Sequence, residues 1–345
     1  MHVAAVLRAA FVSLFLVASA APSTAEERPT GSSQVFAATP SPGFPEGIAV
    51  RGNRVYVAGP ATFGLNTVPA VLAYDLKSKA LVGTYPITIA NPYAQQRALS
   101  CIAFGPDGKL YVIEPFVGVI RMDLNAANTQ EVYAPFPAPP LTGALPNDLA
   151  FDGVGNLYVT DSFQGLIYRI PAGGGAPAVW FQDPRLLGNP AFPFGVNGIR
   201  IDKKAATMYV TVTVRADFSG AVLRLPLVDA PTAGDLSEFH VFSPLTGLPG
   251  PDGIALAKNG RIYVALAGTS QVAVLSPEGA EIARFNGPAQ GPNGSTLPWA
   301  NPANIAFNDL AGTILVTNHA SLVPYDPALF AVFDVKVEDK GVSLP

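Results

Sequence analysis

The chain has 345 residues, of which 49% are hydrophobic and only 13% are charged, and its formal net charge at pH 7 is −4. This composition excludes the basic surface that nucleic acid or anionic lipid would require, so neither is expected as a partner. Cys101 is the only cysteine, which excludes an internal disulfide. Its apolar neighbours predict a packed thiol rather than a nucleophile.

The first 25 residues have the pattern of a signal peptide. Arg8 precedes an apolar stretch too short to remain as a membrane span, and Ala20 and Ala25 end two small-residue cleavage sites. We therefore expect residues 1–25 to be removed and residues 26–345 to form one domain, secreted or periplasmic, with no membrane span. An uncleaved anchor is the alternative interpretation.

Six copies of one phrase follow, each with a polar or small residue, an apolar run, a turn and a second strand. The copies read PEGIAVRGNRVYVAG, SCIAFGPDGKLYVIE, PNDLAFDGVGNLYVTD, VNGIRIDKKAATMYVTV, PDGIALAKNGRIYVALA and ANIAFNDLAGTILVTN. Their first polar or equivalent positions lie 54, 47, 50, 55 and 51 residues apart. Repeats of this length, made of short alternating strands, predict an all-β, six-bladed β-propeller.

The ring of a propeller has to be closed, because an open edge strand invites mispairing. SSQVFAA (Ser32–Ala38) lies before the first copy, and FAVFDVKV (Phe330–Val337) follows the last one. We expect these two segments to pair, so that the N-terminal strand completes the C-terminal blade.

Four of the six copies carry an oxygen-bearing side chain at the start of the inner strand: Glu46, Asn147, Asn197 and Asp252. A propeller brings equivalent positions together around its axis, so these side chains are expected to meet at the mouth of the channel. Two carboxylates and two amides suit Ca²⁺, whereas zinc or copper would favour sulfur or imidazole ligands. Taken singly, each residue is better explained as a turn-former or strand cap, and only the shared register predicts a common cation.

The ordered phrases PEGIAV, PNDLAFDGVGNLYVTD, VNGI and PDGIAL resemble the SMP-30/gluconolactonase-like family, which is related to paraoxonases and strictosidine-synthase-like propellers. The resemblance covers all six copies. It implies a six-bladed propeller that holds a divalent ion, commonly calcium, and hydrolyses lactones or esters. It also implies Glu46, Asn197 and Asp252 as ligands, with Asn147 bound to the ion or in contact with the substrate.

The chemistry implied by the resemblance is polarisation of a carbonyl by the cation, followed by attack of water. Asp252 is the candidate general base, and Asn147 is the second candidate catalytic residue. The neighbouring Asp148 either supports the ligands through hydrogen bonds or caps the strand.

Two departures from the family pattern bear on the substrate. Members that hydrolyse sugar lactones tend to carry an arginine two residues before the Asn-Asp pair, where this chain has Leu145. The paraoxonase-like branch uses a histidine dyad, for which only His240, interpreted as a strand residue, and His319 are available after the signal segment. His319 is either a structural residue or an acid–base group on the active face.

Loops rich in Phe, Pro and Trp, together with Leu145, predict a substrate more apolar than gluconolactone. The expected rim of the pocket consists of Leu145, Phe63, Phe116, Phe163, Phe194, Trp299 and His319. Plain packing of the loops explains each of these residues equally well.

The sequence thus favours an exported, calcium-dependent hydrolase of lactones or esters. The alternatives are a non-enzymatic binding propeller with a structural ion, and a lyase or condensing enzyme of the strictosidine-synthase type.

Overall fold

A computed structural model describes residues 28–65, 67–91, 97–125, 127–136, 143–204, 206–245, 247–286 and 297–342. The expected signal peptide, residues 1–25, lies outside these ranges. So do residues 66, 137–142 and 287–296, which belong to three of the loops rich in Phe, Pro and Trp. No helix in the described ranges has the length and apolarity needed to cross a membrane.

The described residues form six four-stranded antiparallel sheets, and each sheet is one blade. Blade 1 comprises β2 (Ile48–Arg51), β3 (Arg54–Gly59), β4 (Ala70–Asp75) and β5 (Leu81–Pro86). Blade 2 comprises β6 (Ile102–Phe104), β7 (Leu110–Glu114), β8 (Gly118–Asp123) and β9 (Thr129–Pro135). Blade 3 comprises β10 (Pro146–Phe151), β11 (Leu157–Asp161), β12 (Leu166–Ile170) and β13 (Ala178–Gln182). Blade 4 comprises β14 (Val196–Asp202), β15 (Thr207–Val212), β16 (Gly220–Pro226) and β17 (Ser237–Phe242). Blade 5 comprises β18 (Pro251–Leu256), β19 (Ile262–Leu266), β20 (Gln271–Leu275) and β21 (Glu281–Asn286). Blade 6 comprises β22 (Pro302–Asn308), β23 (Thr313–Asn318), β24 (Ala331–Lys336) and β1 (Ser33–Ala38). The only helical segments described are two 3₁₀ turns, at Pro184–Leu186 and Pro327–Leu329.

The inner strands contact one another in the cyclic order β2, β6, β10, β14, β18, β22 and back to β2. The six-bladed propeller predicted from the repeats is therefore confirmed. Its closure is confirmed as well, because β1 pairs antiparallel with β24, with Ser33 opposite Val335. Arg28 reinforces this junction with an ion pair to Asp334 of 2.5 Å.

Neighbouring blades are joined by a repeated aromatic contact. The tyrosine of a second strand packs edge-on against a phenylalanine near the end of the next inner strand. This contact joins Tyr56 to Phe104, Tyr111 to Phe151 and Tyr263 to Phe307, with ring centroids 5.1, 4.7 and 5.4 Å apart. Edge-to-face pairs at such separations add to the stabilisation from buried apolar area. The tyrosine at this point of the repeat is thus explained by packing between blades.

We call the end of the ring where inner strands begin the upper face and the opposite end the lower face. The chain turns quickly at the lower end of the first hairpins, for example at 52–53, 105–109 and 152–156. On the upper face it makes longer loops, such as 60–69, 87–101, 183–195 and 319–330. The start of every inner strand, and hence every candidate ligand, lies at the base of the upper loops.

Candidate metal centre

The candidate ligands lie where the inner strands depart from regular pairing. The register of β10, β14, β18 and β22 shifts between the residue before the ligand position and the residue two after it. Asn147, Asn197 and Asp252 are therefore bulge residues. A bulge changes the direction in which a side chain points. In a regular strand, the side chain at this position would point into the space between blades.

Threonine side chains connect these bulges from one blade to the next. Thr211 Oγ1 accepts from the N–H of Gly198 in its own blade at 2.8 Å and donates to the carbonyl of Asp252 in the next blade at 2.6 Å. Thr160 connects Asp148 to Asn197, and Thr317 connects Asn304 to Glu46, in the same way. The hydroxyl satisfies an N–H that the bulge leaves unpaired and fixes the backbone of a candidate ligand in the neighbouring blade.

Glycine beside the ligand allows this close approach of the blades. A Cβ at Gly198 would lie 2.4 Å from the carbonyl oxygen of Asp252, and a Cβ at Gly253 would lie 2.6 Å from that of Ala303. The Asn-Gly and Asp-Gly pairs of the repeats therefore combine a polar side chain with backbone contact between blades.

Hydrogen bonds orient the two amides. Ser162 donates its hydroxyl hydrogen to the carbonyl of Val196 at 2.7 Å, so its oxygen accepts from Asn147 Nδ2 at 3.0 Å. Thr213 Oγ1 likewise accepts from Asn197 Nδ2 at 3.0 Å. Each amide nitrogen is thereby held by a hydroxyl that directly follows the second strand of its own blade. The amide oxygen Oδ1 is left for another partner.

Three acceptor oxygens of the candidate ligands are buried without a hydrogen-bond partner among the described residues. They are Glu46 Oε2, Asn147 Oδ1 and Asn197 Oδ1. An unsatisfied buried polar atom costs about 1–3 kcal/mol, and most proteins avoid this cost. Three such oxygens at equivalent positions of the repeats fit a common cation, which accepts their lone pairs.

The other oxygen of Glu46 takes part in a chain of contacts across the channel. Cys101 Sγ lies 3.5 Å from Glu46 Oε1 and accepts from Asn304 Nδ2 at 2.9 Å. Burial and the nearby charges of Asp148 and Glu46 raise the pKa of the Cys101 thiol well above its usual value. Cys101 is therefore a protonated, packed thiol, as its neighbours in the sequence predict.

Negative charge accumulates around the orphaned oxygens. Burial raises the pKa of Glu46 well above its usual value, and the charges of Asp252 and Asp148 raise it further. Burial, followed by the charge of Asp148, raises the pKa of Asp252 to about 8, while the amide of Asn197 opposes the rise. The three carboxylates therefore act on one another as a cluster that a cation would stabilise.

Among the described residues, Arg200 supplies the positive charge that pairs with this cluster. Its Nη1 donates to Asp148 Oδ2 at 2.7 Å, and its Nη2 donates to Asn304 Oδ1 of blade 6 at 3.1 Å. Asp148 Oδ2 also accepts from the N–H of Ile199 at 3.0 Å. Asp148 is thus engaged in bonds that hold blades 3, 4 and 6 together, which agrees with a supporting role.

The donor set fits a hard divalent cation. When ionised, the three carboxylates and the guanidinium leave a net charge of −2, which one divalent ion neutralises. Ca²⁺ accepts carboxylate and amide oxygens and completes its six to eight ligands with water. No cluster of three or more His, Cys, Asp or Glu side chains within the described ranges has the geometry of a metal site, so the amides would be essential ligands.

The four candidate ligands differ in access to solvent. Glu46, Asn147 and Asn197 are buried, whereas Asp252 is only partly buried. Of the two carboxylates, Asp252 is therefore the one that water or a substrate can reach.

The expected rim residues separate into exposed and buried groups. Phe63 and Phe194 are 39% and 41% exposed and contact Phe116 and Phe163, respectively, edge-on at 5.3 Å. Phe163 is partly buried, and Phe116 lies buried beneath Phe63.

Three of the expected rim residues, Phe116, Trp299 and Leu145, are buried and need correction. Trp299 is buried in the core and stacks at a tilt on Phe333, because its loop returns to the sheet just before β22. Leu145 is also buried, since its backbone N–H is anchored to Asp161 Oδ1 at 3.0 Å. The position that carries arginine in sugar-lactone-hydrolysing relatives thus contributes no exposed side chain.

The two histidines in the described ranges, His240 and His319, are engaged in structural contacts. His319 Nε2 lies 3.0 Å from the carbonyl of Ala61, and its ring packs edge-on against Phe44. Burial lowers the pKa of His319 to about 4, so the ring is neutral at physiological pH. His240 lies on the outer strand β17, where Nδ1 contacts the carbonyl of Gly279 at 2.9 Å.

Sequence reasoning missed the residues that hold the candidate ligands in place. These are Ser162, Thr213, the three bridging threonines, Asn304 and Arg200. One signal was present in the sequence: a threonine follows the apolar pair of the second strand in blades 3, 4 and 6. The blades that follow these three contain Asn197, Asp252 and Glu46.

Comparison with known proteins places the chain in a family. Residues 70–307 match the profile of the SMP-30/gluconolactonase/LRE-like region. The matched segment therefore does not include Glu46. No curated protein matches the sequence significantly.

Solved structures share the fold at low identity. The calcium-binding protein regucalcin from Agrobacterium tumefaciens str. C58 is 19% identical, with a TM-score of 0.67 over 92% of this chain and 97% of that one. A luciferin-regenerating enzyme is 14% identical, with a TM-score of 0.61 over 87% and 94%. Virginiamycin B lyase from Staphylococcus aureus is 15% identical, with a TM-score of 0.53 over 88% and 99%. Since the family profile covers well over half of its length, this protein belongs to the SMP-30/gluconolactonase/LRE-like family.

Proposed function

We propose that this protein is an exported hydrolase, secreted or periplasmic, which uses a divalent cation, Ca²⁺, to hydrolyse a lactone or ester more apolar than gluconolactone. The observation that carries the proposal is the set of three orphaned, buried oxygens on Glu46, Asn147 and Asn197. Membership of the family and the calcium-binding relative of similar fold support the same conclusion.

Glu46, Asn147, Asn197 and Asp252 would hold the ion. When bound, a divalent cation supplies polarisation of the scissile carbonyl and stabilisation of the negative charge that develops on its oxygen. The Ser162 and Thr213 hydroxyls keep the amide oxygens directed at this point, so little reorganisation is needed during the reaction.

Asp252 serves as the general base. With the cation bound, its partly exposed carboxyl group would be ionised and would accept a proton from the attacking water. The water oxygen adds to the carbonyl carbon, and the ring or ester C–O bond then breaks. The proton held by Asp252 then passes to the leaving oxygen, so the products are an alcohol and a carboxylic acid, which ionises in water. His319 takes no part, because its ring nitrogen is engaged with Ala61.

The substrate class follows from the upper face. The upper loops expose Phe63 and Phe194, and the arginine position of sugar-lactone members holds the buried Leu145. An alkyl or aryl substituent would bury apolar area against these rings, whereas the hydroxyls of a sugar lactone would lose hydrogen bonds to water.

The decisive experiment measures hydrolysis of gluconolactone, a medium-chain lactone and an aryl ester before and after EDTA, and again after Ca²⁺ is restored. We expect turnover of the medium-chain lactone to exceed that of gluconolactone, to be lost with EDTA and to return with Ca²⁺. Turnover insensitive to EDTA would rule out the metal, and a clear preference for the sugar lactone would rule out the apolar substrate.

A binding propeller with a structural ion is the second candidate. It is favoured by the threonine bridges, which tie the backbones of three candidate ligands to neighbouring blades, so that an ion would join four blades. In that case EDTA would lower the melting temperature while no member of the substrate panel is turned over.

A further inference from the structure

The channel opens on the lower face into a cavity of about 530 Å³. All six inner strands contribute to its wall, with residues from their second halves and the turns that follow, and Gly341 and Val342 complete it beside β18. None of the four candidate metal ligands lines it. This volume lies within the range of pockets that bind small molecules, which is about 300–1,000 Å³.

The cavity exists because of one position in the repeat. Three residues after the candidate ligand position, five of the six inner strands carry alanine: Ala49, Ala103, Ala150, Ala255 and Ala306. Their methyl groups line the wall and leave the space around the axis unfilled. The larger residues on either side of each alanine, such as Ile305 and Phe307, make the rest of the wall apolar.

Blade 4 has Arg200 at the same position, and this side chain closes the upper end of the cavity. The guanidinium spans the axis, since it bonds to Asp148 of blade 3 and Asn304 of blade 6. Its side chain is only 11% exposed. The lower cavity and the candidate metal centre are therefore separate compartments, divided by a fixed side chain.

The lower cavity carries a positive bias in a protein whose net charge is −4. Its lining includes Arg51, Arg200 and Lys203 against a single acid, Asp309. Arg51 is engaged with the carbonyl of Gly108 and the ring of Phe104, and Arg200 is paired with Asp148. Lys203 is exposed at the mouth, where the nearby charge of Asp152 acts on it, and it forms no ion pair within the described ranges.

We propose that the lower cavity is a second binding site, and that it takes a medium-chain aliphatic carboxylate. The alkyl chain lies along the alanine-lined wall and ends below Arg200, and the carboxylate remains at the mouth beside Lys203. Apolar walls bind the chain by burial of its surface, and the excess of cations selects a monoanion over a neutral or cationic amphiphile. This site is independent of the chemistry proposed for the upper face.

The test is isothermal titration calorimetry with sodium decanoate, with EDTA present so that no cation can bind a carboxylate at the upper site. We expect saturable binding with one site per chain. Decanol should bind at least about 3-fold more weakly, and decyltrimethylammonium at least about 10-fold more weakly.

Three variants locate the site. Ala150→Leu combined with Ala306→Leu narrows the cavity from opposite blades and should weaken decanoate binding at least about 10-fold. Lys203→Glu changes an exposed side chain, so the variant should fold, and decanoate binding should weaken about 3- to 10-fold. Asp252→Asn, on the upper side of Arg200, should leave it unchanged. The proposal is overturned if the wild type shows no saturable binding. It is equally overturned if binding survives both lower-cavity changes, or if Asp252→Asn abolishes it.

Discussion

The upper and lower faces of the propeller are built from the same six repeats, yet they differ in length and polarity. Among the described residues, the upper loops expose large apolar side chains at Phe63, Val68, Leu187, Phe192, Phe194, Phe218, Leu245, Leu322, Val323 and Tyr325. The lower turns expose only Val154, Val228 and Leu310. Short polar turns are sufficient to connect the strands, so connectivity does not explain the additional apolar length of the upper loops, which agrees with the apolar substrate that we propose.

The largest effect expected from this contrast is on catalysis. Asp252→Asn on the upper face should reduce kcat/KM for the best lactone at least about 100-fold, because general-base catalysis contributes about 10²–10⁴-fold. The melting temperature of the cation-free variant should not fall, since the change removes one charge from a repelling cluster. Asp229→Asn, in a lower turn with a side chain 97% exposed, is the matched control and should retain full activity. Equal activity of both variants would contradict the assignment.

Replacing Arg200, the side chain that separates the two ends of the channel, should have the largest effect on the free energy of unfolding. Arg200→Met removes the partner of the buried carboxylate of Asp148 and should lower the free energy of unfolding by about 3–5 kcal/mol in urea titrations. Adding Asp148→Asn to this variant should restore a large part of the loss, because the uncompensated charge is then gone. A loss below about 1 kcal/mol in the single variant would mean that the guanidinium does not support the channel.

A buried acid at the upper end of β7 should make stability depend on pH. Burial raises the pKa of Glu114 to about 7, despite hydrogen bonds from Asn91 and the N–H of Phe116. A raised folded pKa favours the folded state below the unfolded value of about 4.5, and this contribution is lost as the pH rises through 7.

Glu114→Gln should therefore be more stable than the wild type at pH 8 and lose this advantage at pH 4.5. The expected difference in the free energy of unfolding at pH 8 is on the order of 1–3 kcal/mol. Glu278→Gln, an exposed change in a lower turn, should show no such pH dependence. Parallel curves for Glu114→Gln and the wild type would contradict the interpretation.

The smallest effect concerns the bridging threonines of the upper end. Thr211→Val keeps the shape but removes the hydroxyl between Gly198 and Asp252, which should cost about 1–2 kcal/mol of stability. Calcium affinity measured by calorimetry should fall several-fold, since the backbone of Asp252 loses its anchor. Thr84→Val on the exposed outer strand β5 is the control, and equal affinities in the two variants would argue against the bridge.

The sequence predicts the ring well because the ring follows from a repeated pattern. Periodicity was enough for the six blades, and the position of SSQVFAA before the first copy was enough for closure. Polar residues at one register also predicted which side chains share the upper end of the channel, although their role as ligands remains a prediction.

Contacts between blades were beyond the sequence. Thr160, Thr211 and Thr317 look like ordinary strand residues until the neighbouring blade is in place, and Arg200 looks like a break in an apolar strand. Trp299 was misplaced because an aromatic residue in a loop can turn toward solvent or toward the core, and only the return of the chain into β22 decides between them.

The pairing of β1 with β24 sets the order in which the molecule can be completed. β1 emerges from the ribosome long before β24, so this blade cannot assemble until the chain has been synthesised through Lys336. Such distant pairing carries a large loop-closure cost and predicts slow, late assembly. A chain that stops short of residue 331 would leave both β1 and β23 with unpaired edges, which makes truncated products candidates for aggregation rather than for partial function.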